Sequence, residues 1–240
     1  MRKLLLCCLL LLLAFSTATA QELKDEWRDK NTVFRQFKTI VLHPEFDPNL
    51  NIDEISRKKL ESLLDNAIWQ EKLGMIRWLN ESQLEQKIGT LTQTDMSTLK
   101  SNDPASYAAL VAEYSPSLAD ARLTLKVRQW GYTQEYVPEA WERYTEYRRV
   151  PVKIIETDAK GKRTITTRWE EQPFKATRYV PAHYKQVSHA GLELTLTSIK
   201  TSEKVWMLLD LRDAEGSKAP FDMTERIIRR ATEQYGALVN

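Results

Sequence analysis

The residue types that most often carry chemistry are thinly spread along this chain. Its seven glycines are too widely separated for a phosphate-binding loop or a nucleophile elbow, because the closest two, Gly74 and Gly89, are fifteen residues apart. Of the three histidines, His183 and His189 would share one face of a strand, but no third ligand accompanies them and His43 is distant in the sequence. We therefore expect no metal site and no cofactor.

Carboxylates are plentiful, but none stands out as half of an acid–base pair. Glu170 and Glu171 are adjacent, so on a strand they would point to opposite faces. Asp210 and Asp213 come at the end of an apolar strand, where charged residues usually mark its arrival at solvent. Nothing in the sequence marks a Ser–His–Asp relay. We predict that the chain has no catalytic residues and is not an enzyme, with an unrecognised hydrolase as an alternative.

Aromatic residues are concentrated in residues 130–187, which hold ten of the 21 that remain when residues 1–20 are set aside. Two explanations stay open. The rings could form cross-strand pairs that hold together a thin structure without a large core. They could instead form a surface that binds protein or glycan, because Tyr, Trp and Arg are enriched at interfaces. The candidate partner-binding residues are Trp141, Tyr144, Tyr147, Trp169 and Tyr179.

The aromatic-rich segment is predicted to form a long β extension over residues 131–187. A Tyr-Val-Pro sequence occurs on each side of an inner hairpin candidate, whose two strands flank a polar turn at residues 158–162. The strand at 121–130 would continue outward, turn there, and return into residues 188–198. The repeats are residues 136–138 and 179–181, and the inner strands are residues 152–156 and 164–169.

The rest of the chain combines strands that have one apolar face with amphipathic helices. The predicted elements are a strand at 37–43 ended by Pro44, a helix at 52–72, a strand at 75–79, a short helix ending at Ile88, a loop at 89–102, a helix from Pro104 stopped by Pro116, a strand at 121–130, a hairpin of strands at 192–196 and 205–211, and a helix at 222–238. In the last strand the buried face would consist of Val205, Met207, Leu209 and Leu211, with Trp206 and Leu208 making the other side partly apolar.

This order, β-α-β-α-α-β-(long β-hairpin extension)-β-β-α, predicts an α/β (α+β) fold in which a mixed β-sheet is packed with helices. We expect a single domain over residues 37–240, preceded by a polar lead-in at residues 21–36. The lead-in offers Trp27, Val33 and Phe34 as apolar docking points.

The first 20 residues have the pattern of a cleaved signal peptide. Arg2 and Lys3 precede an apolar run, and Ala18 and Ala20 fit the small-residue cleavage pattern. The run is about 12 residues, shorter than the ~20 that a transmembrane helix needs. Both cysteines lie within it, so the mature chain would be cysteine-free, which favours a bacterial periplasm over a disulfide-rich secreted domain. That mature chain has 33 bases (35 − 2) and 33 acids, so it lacks the charge surplus of a broadly basic nucleic-acid binder.

Two stretches resemble a group of bacterial envelope domains. Residues 192–206, L-E-L-T-L-T-S-I-K-T-S-E-K-V-W, are similar to the strand–turn–strand hairpin of the curli-secretion lipoprotein (CsgG-like), TolB amino-terminal and penicillin-binding-protein-activator α/β domains. Residues 37–44, F-K-T-I-V-L-H-P, look like their opening strand. Ser198 and Ser202 stand where that group often has Asp and Gly, and the extension has no counterpart. The resemblance implies the fold, and it supplies no catalytic residues.

These observations favour a periplasmic protein that binds a partner protein in cell-envelope assembly or transport, without a nucleic-acid partner and without a transmembrane segment in the mature chain. A glycan- or peptidoglycan-binding module that uses the same aromatic residues is the second hypothesis. A homo-oligomer is compatible with either.

Overall fold

The computed structural model describes residues 22–65, 67–157, 159–216 and 218–239. The predicted signal sequence, with both cysteines and the Ala18 and Ala20 cleavage residues, lies outside the described residues. Chain contacts divide the protein into a first unit, formed by the residues up to Thr133 together with those from Gln186 onward, and a second unit, Gln134–Lys185. Within the described residues, no helix is both long and apolar enough to cross a membrane.

A six-stranded mixed sheet forms the centre of the first unit, in the order β1-β8-β7-β4-β2-β3. The strands β2, β3 and β4 run parallel to one another, whereas β8 is antiparallel to both β1 and β7. The predicted mixed sheet is therefore confirmed. Its strands are β1 (Glu22–Arg28), β2 (Thr39–Phe46), β3 (Arg77–Asn80), β4 (Ala121–Val137), β7 (His183–Ser198) and β8 (Lys204–Glu215), and the second unit adds β5 (Ala140–Thr157) and β6 (Arg163–Val180).

The helices pack on this sheet around two cores. One core joins α1, α2 and α6 to buried residues such as Leu123 and Leu194. The other joins α3, α4 and α5 to Val41 and Leu79, near the β3 edge. Besides a short 3-10 helix at Phe34–Gln36, the helices are α1 (Glu54–Leu64), α2 (Ala67–Lys72), α3 (Glu81–Thr92), α4 (Met96–Asn102), α5 (Pro104–Leu118) and α6 (Pro220–Val239).

The sequence pattern gave wrong boundaries for three helical segments. The predicted loop at 89–102 is mostly helix, because Asp95 caps α4 by accepting hydrogen bonds from the backbone N–H groups of Ser97 and Thr98. Helix α5 continues through Pro116 to Leu118, although the proline has no N–H group to donate to the helix. The helix predicted at 52–72 is divided into α1 and α2.

Three strand predictions also need correction. The lead-in contains β1, which pairs with β8 at the edge of the sheet. Strand β2 does not end at Pro44: its pairing with β3 stops at Leu42, so Pro44 pairs with β4 alone, where a missing donor is tolerated. In β8 the fully buried face is that of Trp206, Leu208 and Asp210, the reverse of the prediction, because α6 packs over this side of the sheet.

Candidate interaction surface

The second unit is built around a two-stranded antiparallel hairpin of β5 and β6. The pairing is continuous from Ala140–Val180 to Thr157–Arg163, so each strand has 18 residues, about 60 Å at 3.4 Å per residue. The hairpin turns in a segment that contains Gly161, whose φ of +79° favours glycine. The predicted inner hairpin and its turn are therefore confirmed, and the two Tyr-Val-Pro repeats mark the junctions of β4 with β5 and of β6 with β7.

One face of this hairpin gathers most of the exposed aromatic rings. Residues directly opposite in an antiparallel pair share a face, and alternate residues along a strand share it too. The face contains the opposed pairs Trp141–Tyr179, Tyr147–Pro173, Pro151–Trp169 and Ile155–Ile165. We call it the aromatic face. It includes four of the five candidate residues.

The rings of the aromatic face are open to solvent. Trp141, Tyr147 and Trp169 are 71%, 68% and 65% exposed. Trp141 and Tyr179 contact each other with ring centroids 5.5 Å apart, and the Tyr179 hydroxyl donates a hydrogen bond to Glu139, which raises the pKa of Tyr179. One pair of this face therefore packs across the strands, as the self-packing explanation predicts, while most ring area stays uncovered.

The fifth candidate, Tyr144, lies on the other side, which we call the opposite face. There the guanidinium of Arg178 lies 5.7 Å from the Tyr144 ring centroid, and that of Arg148 lies 5.8 Å from the ring of Phe174. Each ring is thus partly covered by an arginine of its own hairpin. Tyr144 is 40% exposed and does not share a surface with the other four candidates.

The opposite face also compensates its own charges. Three ion pairs join Arg178 to Glu142 (3.0 Å), Arg148 to Glu146 (2.9 Å) and Arg168 to Glu170 (3.9 Å). Such exposed pairs contribute little to stability, typically under about 1 kcal/mol each. Their consequence is electrostatic: the arginines of this face have neighbouring carboxylates.

The aromatic face, by contrast, leaves most of its cations uncompensated. Among the described residues, only Arg149 pairs with a carboxylate there, that of Glu171 at 3.4 Å. Four further bases of this face form no ion pair with any described residue. They are Arg143, Lys153, Arg163 and Lys175.

The whole-chain charge distribution agrees with this asymmetry. Residues 134–185 have 11 bases and 8 acids, a net charge of +3. The rest of the chain after residue 20 has 22 bases (33 − 11) and 25 acids (33 − 8), a net charge of −3. The neutral total of the mature sequence therefore conceals a basic hairpin unit and an acidic remainder.

Two prolines limit how the hairpin can be extended sideways. Pro151 and Pro173 have no backbone N–H group, so neither can occupy a hydrogen-bonded position of the antiparallel pair. At the alternate positions, which they occupy, the backbone groups point away from the partner strand. Each outer edge is thus interrupted near its middle, which discourages pairing with a further strand. Within the described residues, this sheet has only the two strands. A partner would therefore contact the faces of the hairpin and not its edges.

The other sequence candidates separate clearly in the structure. Glu170 and Glu171 lie on opposite faces of β6, as expected for adjacent residues. Asp210 is fully buried and pairs with Arg212 and Arg230. Asp213 instead contacts His189, so the two aspartates do not act together.

One hydrogen-bonded relay was not predicted. The Thr133 hydroxyl oxygen lies 2.6 Å from Nε2 of His189, whose Nδ1 lies 2.7 Å from Oδ1 of Asp213. His189 and Asp213 are directly opposed on β7 and β8. No local sequence signal links these residues, because the relay depends on the pairing of distant strands.

Comparison with known proteins identifies no family. No family model matches the chain, and no curated protein matches it. Solved structures that match the chain at low sequence identity include three that illustrate the range. They are the PelC dodecamer from Paraburkholderia phytofirmans (TM-score 0.44, 11% identity, 90% of this chain and 97% of that one), lipoprotein GNA1162 from Neisseria meningitidis (0.37, 10%, 83% and 98%) and a PDZ domain protein from Parabacteroides distasonis (0.33, 12%, 92% and 38%). Since each of these three TM-scores is below 0.5, no property of these proteins is transferred, and the resemblance noted in the sequence stays at the level of the fold.

Proposed function

We propose that this chain is a non-enzymatic binding protein of the bacterial envelope, and that the aromatic face of its hairpin docks onto a partner protein with an acidic surface. The proposal rests on one observation. Exposed rings and cations that lack an ion-pair partner among the described residues lie on the same face, whereas the arginines of the other face pair with its carboxylates. The export-type sequence at residues 1–20 supports a periplasmic location.

The aromatic rings would supply most of the affinity. Tryptophan and tyrosine are typical binding hot spots, whose truncation costs about 2 kcal/mol or more when they are fully buried at an interface. Trp141 and Trp169 have large exposed ring areas and lie on the same face. Docking would remove that apolar area from water without reorganising the hairpin.

The cations would supply selectivity and association rate. Arg143, Lys153 and Lys175 can each gain a carboxylate partner on docking, which none has among the described residues. A basic patch also steers acidic partners during encounter, an effect that weakens as salt screens it. Binding should therefore weaken as ionic strength rises.

The test compares matched double variants of the two faces. Trp141→Ala/Trp169→Ala removes rings from the aromatic face, and Tyr144→Ala/Phe174→Ala removes rings from the opposite face. Envelope proteins that the wild-type chain captures are purified, and their affinities are measured for both variants after circular dichroism has verified folding. We expect the first variant to weaken binding at least about tenfold and the second to change it less than about threefold.

Equal losses in the two variants, or unchanged affinity in Trp141→Ala/Trp169→Ala, would refute docking through the aromatic face. If purified peptidoglycan retains the wild-type chain and Trp141→Ala/Trp169→Ala abolishes that retention, the partner is a glycan and not a protein. Capture of a second copy of this chain would identify a homo-oligomer.

Hydrolysis is the second candidate function, and the Thr133–His189–Asp213 relay is the observation that favours it. A hydroxyl bonded to an imidazole that a carboxylate orients is the arrangement of an activated nucleophile. If the relay is catalytic, purified protein should hydrolyse p-nitrophenyl acetate, and Thr133→Val should abolish the activity. Activity that is absent, or unchanged in Thr133→Val, would leave these residues a role in joining β4, β7 and β8.

A further inference from the structure

A cleft in the first unit, separate from the aromatic face, lies where α1 and α6 begin beside β4. Its volume is about 630 Å³. This size falls within the range of small-molecule sites. Aromatic residues from two elements line it, together with polar residues of α1 and the segment before it. They are Trp130, Tyr132, Phe221, Asn51, Asp53, Ser56 and Lys59, and the carboxylate of Asp53 caps α1 by accepting a hydrogen bond from the backbone N–H of Ser56.

An irregularity in β4 directs rings into this cleft. Val127 is buried in the core beneath α1 and α6, and Trp130, three residues later, packs against that same core. In a regular strand, residues three apart point to opposite faces, so the alternation shifts between them. Such shifts are common beside functional sites, where they redirect a side chain.

Gly131 leaves bare backbone in the wall of the cleft. Its φ is +121°, and a Cβ placed on it would meet no atom within 4 Å. The positive φ accounts for glycine at this position, and the missing side chain leaves its backbone uncovered. Glycine at such a position allows a ligand to approach the backbone closely.

Lys59 gives the cleft a cation without a partner. The two preceding bases of α1 are occupied, since Arg57 hydrogen-bonds Glu61 and Lys58 pairs with Glu54 at 2.8 Å. Lys59 forms no ion pair with any residue in the described part of the chain, although it lines the cleft. A negatively charged ligand in the cleft would give Lys59 an ion-pair partner.

We infer that this cleft binds an anionic saccharide, a sugar ring that carries a carboxylate. The C–H face of a sugar ring can stack on Trp130 and Tyr132, and its hydroxyls can hydrogen-bond Asn51 and Ser56. The carboxylate would pair with Lys59, a charge-assisted bond that contributes more than a neutral one. The inference does not depend on the aromatic face, because every residue involved lies in the first unit.

The test is isothermal titration of the purified chain with tetragalacturonate and with its methyl ester, which has the same sugar rings but no charge. We expect tetragalacturonate to bind at least about tenfold more tightly than the ester, as the loss of a charge-assisted bond predicts. Lys59→Met should weaken tetragalacturonate binding by a similar factor. Its matched control, Lys58→Met, removes the neighbouring charge and should have less than about a twofold effect.

A second variant tests the rings without disturbing the core. Tyr132 is 54% exposed, so Tyr132→Ala should fold normally while weakening binding several-fold. Undetectable binding of tetragalacturonate at millimolar concentration would overturn the inference. Equal affinity for acid and ester, or equal effects of Lys59→Met and Lys58→Met, would overturn it as well. If Trp141→Ala/Trp169→Ala lost tetragalacturonate binding while Lys59→Met and Tyr132→Ala kept it, the glycan would bind the aromatic face instead.

Discussion

Replacing Asp210 by asparagine should destabilise the first unit strongly. The carboxylate is fully buried and accepts hydrogen bonds from Arg212 at 2.8 and 2.6 Å and from Arg230 at 3.0 Å. Arg230 lies on α6, so the carboxylate joins that helix to β8. Asparagine keeps the shape but removes the negative charge that faces both guanidinium groups.

The structure sets the expected magnitude. Removing one partner of a buried ion pair costs about 3–5 kcal/mol. The two arginine side chains are 15% and 31% exposed, so water can replace part of the lost interaction with the carboxylate. We therefore expect about 3 kcal/mol in the free energy of unfolding for Asp210→Asn. For a chain of this size, that corresponds to a decrease in Tm of about 6–12 °C.

Urea denaturation followed by circular dichroism measures this loss, with Asp213→Asn as the control. Asp213 is partly exposed and contacts only His189 among the pairs described above, so its replacement should cost less than about 1 kcal/mol. A loss below about 1 kcal/mol for Asp210→Asn, or equal losses for the two variants, would refute the assignment of Asp210 as a buried structural anchor.

Two further predictions concern packing and pH. A Cβ at Gly191 would lie 2.5 Å from Cδ2 of Leu211 and 3.2 Å from Cβ of Gln129, so Gly191→Ala should lower the free energy of unfolding by about 1 kcal/mol in chemical denaturation, and a neutral result would contradict these contacts. The hydrogen bond to Glu81 raises the pKa of His43 above its usual 6.5 and lowers that of Glu81 below 4.5. The ion pair therefore contributes its full stabilisation of the folded state between pH 4.5 and pH 6.5. That contribution is lost as the pH rises through the raised pKa of His43 or falls through the lowered pKa of Glu81. The stability advantage of wild type over His43→Gln should be largest near pH 5–6 and shrink by pH 8, and a constant difference would contradict this assignment.

Local patterns predicted elements wherever one physical effect dominates. Asp53 caps α1 by accepting from the backbone N–H of Ser56, as a cap before an apolar stripe predicts. Leu123, Leu125 and Val127 are buried, as their alternation with charged residues predicts. In these places short-range chemistry and tertiary packing favour the same structure.

Other features depended on partners that are distant in the sequence. The polar composition of β1 conceals a strand that forms because β8 offers an edge. Which side of β8 is buried depends on α6, and not on the apolar content of the strand alone. The Thr133–His189–Asp213 relay likewise needs three strands in register.

The sequence contains a pattern that predicts the aromatic face, although the number of aromatic residues alone does not show it. With the hairpin turn centred near residue 160, paired residues have numbers that add to 320, and the residues of one face share the same parity. Trp141, Tyr147, Trp169 and Tyr179 all have odd numbers, whereas Tyr144 has an even one. Parity about a predicted turn would have separated the five candidates into two faces.

Site-specific photo-crosslinking in the native host tests the central claim most directly. Benzoylphenylalanine is placed at Tyr147 on the aromatic face or at Tyr144 on the opposite face, three residues away on the same strand. We predict a discrete crosslinked protein from position 147 that diminishes with Lys153→Glu, and none from position 144. Crosslinks of equal yield from both positions, or from position 144 alone, would contradict it.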